Sequence, residues 1–102
     1  MKTSICVAGA TGKMGSHLCK AITESQDLTI VSAIAKNYTG QILGDILNIK
    51  NLEATIYDDV IFALKKSPQI LIDFTHASVV KRNVILAIQQ QVNVVIGSSG
   101  LT

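Results

Sequence analysis

The stretch Ile5-Cys6-Val7-Ala8-Gly9-Ala10-Thr11-Gly12-Lys13-Met14-Gly15 constrains the chain more than any other. An apolar run ends in glycines spaced three apart, and a helical apolar pattern follows at once. That order reads as strand, tight turn, helix N-terminus. Gly9 lets the chain turn sharply off the strand. Gly12 lets backbone approach a pyrophosphate with no Cβ in the way, and Gly15 lets the helix pack closely on the strand. The helix start then offers free N–H groups and the positive dipole end to phosphates. The spacing is Gly-x-x-Gly-x-x-Gly rather than the strict Gly-x-Gly-x-x-Gly. The flanking strand and helix, not the glycines alone, point to dinucleotide binding. The alternative is a glycine-rich turn of purely structural purpose.

The rest of the chain repeats the strand–helix alternation. Residues 3–8 read as a strand buried on both faces, as in a parallel sheet. A helix is predicted from Lys13 to about Ser25, with Met14, Leu18, Ala21 and Ile22 as its apolar stripe and Lys20 and Glu24 paired on the wet side. His17 falls off that stripe and reads as an exposed helix residue. Residues 28–35 form a second strand, rich in β-branched residues. Residues 37–53 read as a loop with one short helical turn around 42–47, and residues 55–57 as a short strand. Asp58 or Asp59 caps a helix that runs to Lys66 and is stopped by Pro68. Tyr57 reads as packing. Residues 70–74 are another buried strand, followed by a helix to about Gln90 with Val80, Val84, Ala87 and Ile88 as its core stripe. Residues 92–96 make the last strand. The pattern predicts an α/β domain with a mostly parallel sheet and right-handed crossovers.

In such a sheet the strand C-termini share one edge, where ligands bind. Three loops meet there: 9–15, 73–76 and 97–100. Asp73 is a carboxylate at that edge with two readings, a cofactor contact or a cap for the next helix. His76 reads as a solvated or capping residue. The end of the second strand faces the adenosine ribose in such units, where a carboxylate suits NAD and a cation suits the 2′-phosphate of NADP. Here the chain has Ala35 and then Lys36. The electrostatics therefore lean to NADPH, with NADH as the alternative and Lys13 as a second candidate cation. Lys36 also reads simply as a solvated loop residue.

Composition excludes more than it selects. Of the 102 residues 48% are hydrophobic and only 16% charged, with a net charge of +2 and no Trp. The basic pairs Lys65-Lys66 and Lys81-Arg82 suit solvated helix positions, so no nucleic-acid surface is expected. Cys6 and Cys19 fit no metal spacing and read as buried reduced thiols; no metal is expected. No apolar run approaches the ~18 residues of a membrane span and no leader-like h-region is visible, so a cytoplasmic protein is expected.

Taken together, four stretches resemble one family. Residues 7–15 are similar to the opening motif of 4-hydroxy-tetrahydrodipicolinate reductase (dihydrodipicolinate reductase). Gly40-Gln41-Ile42-Leu43-Gly44-Asp45, Ile72-Asp73-Phe74-Thr75 and Val95-Ile96-Gly97-Ser98-Ser99-Gly100 look like its mid-domain loop, its Asp-Phe-Thr motif and its Gly-Thr-Thr-Gly motif. The resemblance covers essentially the whole chain. It implies a Rossmann-type nucleotide-binding domain, with helices on both faces of the sheet. The enzyme would be a lysine and diaminopimelate biosynthesis reductase that takes hydride from NADPH or NADH. It implies that Gly9, Ala10, Thr11, Gly12, Lys13 and Met14 hold the pyrophosphate, that Lys36 lies near the adenosine ribose, and that Phe74, Thr75, Gly97, Ser98 and Ser99 surround the nicotinamide. Ala35 departs from an acidic residue common in the family, Lys13 stands where Arg is usual, and Ser98 and Ser99 replace threonines. The family's second domain, which supplies substrate-binding residues, proton donors and the tetramer contacts, has no counterpart in residues 1–102. No catalytic residue is therefore expected in this chain, which alone should be inactive. Two other readings stay open: the cofactor domain of another two-domain dehydrogenase, and a non-catalytic nucleotide-sensing or partner-docking module.

Overall fold

A computed structural model describes residues 2–97. The elements in chain order are β1 (Thr3–Ala8), α1 (Lys13–Glu24), β2 (Leu28–Ile34), α2 (Leu43–Leu47), β3 (Ile56–Tyr57), α3 (Val60–Leu64), β4 (Ile70–Asp73), α4 (Ala77–Gln89) and β5 (Asn93–Ile96). The strands form one parallel sheet in the order β3-β2-β1-β4-β5. The chain winds outward from β1 in one direction through β3, then returns to the other side of β1 with β4. The reversal between β1 and β4 opens a crevice at the strand carboxyl ends.

β1 shows why both faces of the sheet are covered. Its side chains alternate, so Ile5 and Val7 enter one core with Cys19 and Ile22 of α1 and with Leu43 and Leu52. Cys6 and Ala8 enter the other, with Val60 and Ala63 of α3, Leu71 of β4 and Ala87 of α4. Every β1 residue from Ile5 to Ala8 is buried, which is what a central parallel strand requires.

Two helix stripes differ from expectation. On α1 the buried residues are Gly15, Cys19 and Ile22, with Leu18 partly buried; Met14 is 64% exposed and Ala21 faces solvent. The close seat of Gly15 on the turn decides which face docks, and that overrides the greater hydrophobicity of Met14. On α4 the buried residues are Val80, Asn83 and Ala87, while Val84 is only partly buried and Ile88 is 64% exposed. There a polar side chain takes an inward position because it has an internal partner. Lys20 and Glu24 are exposed as expected but form no ion pair; among the described residues the recorded ion pair is Arg82–Asp59, at 3.2 Å. Asp59 rather than Asp58 caps α3, its Oδ1 accepting from the Ile61 N–H at 2.9 Å. That hydrogen bond from the Ile61 amide, with the Arg82 guanidinium behind it, holds the Asp59 carboxyl below its ordinary range.

Candidate functional site

The β1–α1 turn is held shut from behind and open in front. Gly9 has φ +78°, a left-handed conformation that favours glycine, and a Cβ there would press on the carbonyl carbon of Phe74 at 3.2 Å. At Gly15 a Cβ would run into the Gly9 carbonyl, standing 2.9 Å from its carbon. Gly12 is different. Its φ of −74° suits any residue, it is exposed, and a Cβ would meet the Gly9 oxygen at an ordinary 3.4 Å. Gly9 and Gly15 are thus required by the fold, and Gly12 is not.

The amides divide in the same way. Gly9 and Ala10 donate to the Ile34 carbonyl at 2.8 and 3.2 Å, and Gly12 donates to Gly9 at 3.1 Å. Ala10 is buried, so it shapes the turn and has no free amide to offer. Among the described residues no acceptor meets the amides of Thr11, Lys13, Met14 or Gly15. No side chain caps α1, and its first turn holds no acidic residue. Unsatisfied N–H groups and the positive end of a helix dipole therefore face an exposed surface, which is the physical requirement for an anion site.

The β4–α4 turn forms the opposite wall. The Phe74 amide donates to Ala8 at 2.9 Å, and the Gly97 amide to Asp73 at 2.9 Å, so the ends of β1, β4 and β5 are tied in a row. The Phe74 ring lies over Gly97, where a Cβ would come within 2.8 Å of the ring. Gly9, Gly12, Gly15, Lys13, Met14, Phe74 and Gly97 line a cavity of about 250 Å³. A more open hollow of about 880 Å³ lies along residues 42–53, but its walls include none of the residues at the carboxyl ends of β1, β4 or β5.

Asp73 does not cap α4. Its carboxylate is fully buried: Oδ1 accepts from the Thr75 N–H at 2.8 Å and from the Thr75 hydroxyl, and Oδ2 accepts from Asn83 Nδ2 at 3.0 Å. His76 is the cap, its Nδ1 accepting from the Ser78 amide at 3.4 Å. The reason is that the Asp73 side chain points inward from the strand, toward α4's buried face. Asn83 is the site-related residue that reading the sequence missed. Its signal was positional: a polar residue at the centre of the inward stripe Val80–Val84–Ala87.

Lys36 is the first exposed residue after β2; Ala35 before it is buried, its amide donating to Tyr57 at 3.0 Å. Ser98 and Ser99 lie outside the described residues. His17 is exposed, and Tyr57 packs against the α3–α4 core. Cys6 and Cys19 are buried free thiols, both pushed up to about 12 by burial, which keeps them protonated and unreactive. Among the described residues no group of His, Cys, Asp or Glu could hold a metal ion, and no helix is long and apolar enough to cross a membrane.

Comparison with known proteins agrees with this architecture. By fold the chain is similar to a dipicolinate-bound dihydrodipicolinate reductase from Paenisporosarcina sp. TG-14, with a TM-score of 0.80 and 22% identity over 100% of this chain and 39% of that one. It is also similar to an aspartate semialdehyde dehydrogenase from Candida albicans, solved with NADP, with a TM-score of 0.73 and 13% identity over 97% of this chain and 30% of that one. In sequence it is 37% identical to the 4-hydroxy-tetrahydrodipicolinate reductase of Rippkaea orientalis, over 96% of this chain and 38% of that protein. It is 34% identical to that of Syntrophomonas wolfei, over 98% and 38%. The chain spans a little over a third of the length of these relatives. Residues 3–102 match the family described as "Dihydrodipicolinate reductase, N-terminus", and the chain belongs to that family.

Proposed function

We propose that this chain is the cofactor-binding domain of a 4-hydroxy-tetrahydrodipicolinate reductase and that it takes NADPH, with NADH as the weaker ligand. The observation that carries the reading is the uncapped start of α1 behind the close-packed Gly9 and Gly15, set at the β1/β4 crevice. The residues fit a dinucleotide. The amides of Thr11, Lys13 and Met14 have no internal acceptor, and no like charge stands in the first turn of α1. In this reading the 9–14 loop and Lys13 hold the pyrophosphate, Lys36 meets the 2′-phosphate, and Phe74, Thr75 and Gly97 bound the nicotinamide side. The bound dinucleotide supplies the hydride, and the protein supplies its placement and electrostatics. The substrate site, proton donor and tetramer contacts belong to the remaining length that the relatives have. The 102-residue chain alone then binds cofactor weakly and does not turn over.

Calorimetric titration with NADPH and NADH tests this directly. Saturable binding is expected, with NADPH tighter. Lys36→Ala is expected to weaken NADPH by about 3- to 10-fold and leave NADH within twofold, as removal of one charge-assisted phosphate contact predicts. Equal affinities in the parent chain remove the Lys36 assignment and leave the cradle. No binding of either ligand, in this chain or in one extended to the relatives' full length, overturns the reading.

A further inference from the structure

The cofactor reading sets Thr75 on the nicotinamide side but gives no role to its partners Asp73 and Asn83. We propose that Asp73, held in place by Asn83, engages the only proton of the Thr75 hydroxyl as a hydrogen-bond acceptor. Thr75 then meets a ligand purely as a hydrogen-bond acceptor, which selects a dinucleotide ending in a carboxamide over one ending in a carboxylate. The inference rests on the cofactor reading and adds to it the polarity of the nicotinamide end of the site.

The geometry is specific. A threonine hydroxyl has one proton and two lone pairs. That proton goes to Asp73 Oδ1, which also accepts the Thr75 amide at 2.8 Å. A buried carboxylate needs such donors, because no solvent replaces them. Asp73 is fully buried, and no Lys, Arg or His lies within ion-pair distance of it among the described residues. Its second oxygen takes the Asn83 amide at 3.0 Å. Thr75 cannot turn its proton outward without leaving Oδ1 short of a donor. Thr75 itself stays partly exposed and follows Phe74, which lines the cavity with the glycine loop and Gly97.

A carboxamide brings N–H donors to such an acceptor. A carboxylate brings only acceptors, and it brings negative charge toward buried Asp73. Discrimination against a ligand that cannot make the designed hydrogen bond is the strong kind, because groups are left unpaired. Asn83 is a positioning residue. It reaches the site from the second turn of α4 and touches no ligand; for packing alone an apolar residue would serve between Val80 and Ala87.

The test titrates the 102-residue chain with three ligands: NADP⁺, its nicotinic-acid analogue with carboxylate in place of carboxamide, and 2′,5′-ADP, which has no nicotinamide end. NADP⁺ is expected to bind at least 10-fold more tightly than the acid analogue. In Thr75→Val that ratio is expected to fall at least threefold, with 2′,5′-ADP affinity unchanged. Asn83→Ala, checked for folding by its thermal transition, is expected to move the ratio the same way. A parent ratio near one, or a ratio unchanged in Thr75→Val, overturns the inference while binding of NADP⁺ keeps the cofactor reading. If Asn83→Ala weakens all three ligands equally, Asn83 is architectural and its positioning role is overturned. Absence of binding by all three ligands, both in this chain and in one extended to the relatives' full length, takes down reading and inference together.

Discussion

Two strand-to-helix turns stand side by side at the crevice, one after β1 and one after β4, and they solve the same problem in opposite ways. Each must end a buried strand, reverse direction and start a helix with unsatisfied amides. The β4–α4 turn satisfies its groups from within: Asp73 takes the Thr75 amide and hydroxyl, and His76 caps α4. The β1–α1 turn uses glycines, and it leaves the α1 amides without acceptors. The first is finished without a ligand; the second is complete only with one. Side chains make a self-sufficient turn, and their absence makes a receptive one.

The largest expected effect tests the rigid half of the glycine turn. Gly15→Ala puts a Cβ into the Gly9 carbonyl, which is backbone and cannot rotate away. Helix α1 must move off β1, at a cost of about 3 kcal/mol or more, the upper range for overpacked sites. A thermal transition within 2–3 °C of the parent, near the shift about 0.5 kcal/mol gives a domain of this size, contradicts the close-seat account. Asp73→Ala acts on the other turn. It strands the Thr75 amide and hydroxyl and the Asn83 amide, and it is expected to cost about 2–4 kcal/mol in urea unfolding, since each buried donor left unpaired costs about 1–3 kcal/mol. A loss under about 0.5 kcal/mol, the usual size for an unremarkable surface change, shows the network to be incidental.

The two turns were unequally legible in the sequence. The receptive turn was almost fully readable, because glycine spacing between an apolar run and a helical pattern is a local signal. The division of duties among the glycines was legible too, Gly9 for the turn, Gly15 for close packing and Gly12 left open; what escaped was their tertiary partners, Phe74 against Gly9 and the Ile34 carbonyl that takes the Ala10 amide. The same cause hid the docking face of α1, where Gly15 and Cys19 outrank Met14. The self-sufficient turn was readable only as strand, then helix. Asp73 read as a cofactor contact or a cap, both local to the strand end, but its partner Asn83 lies ten positions on, along a helix whose rotation the sequence does not fix. The strand alternation itself was legible because β-branched runs punctuated by Gly, Asn and Pro are strong signals even singly.

A smaller effect isolates the cap. His76→Ala removes the acceptor for the Ser78 amide at an exposed helix start, where the 3.4 Å contact is long. About 0.5–1 kcal/mol of stability is expected to go, the lower range for a lost cap. Nucleotide affinity should hold within twofold, because the cap serves the fold and His76 does not line the cavity at the start of α1. A large loss of affinity without a loss of stability would place His76 in the site instead, and the contrast between the turns would fail.

The smallest effect on stability is the sharpest test, because it turns one kind of turn into the other. Gly12 is the N-cap of α1, with extended ψ of 173° and room for a Cβ. Gly12→Asp supplies the acceptor that the turn lacks and a negative charge at the positive end of the helix. A capping aspartate exceeds glycine by only a few tenths of a kcal/mol, so the urea midpoint should rise slightly or stay level. The amides freed for a phosphate are then occupied, and the new carboxylate repels the pyrophosphate. Affinity for NADPH is expected to fall at least 30-fold, while Gly12→Ala, which adds bulk without charge or acceptor, falls less. Stability and binding thus move in opposite directions at one residue. If Gly12→Asp loses stability and affinity together, the open amides were never free, and the glycine turn is as self-contained as its neighbour.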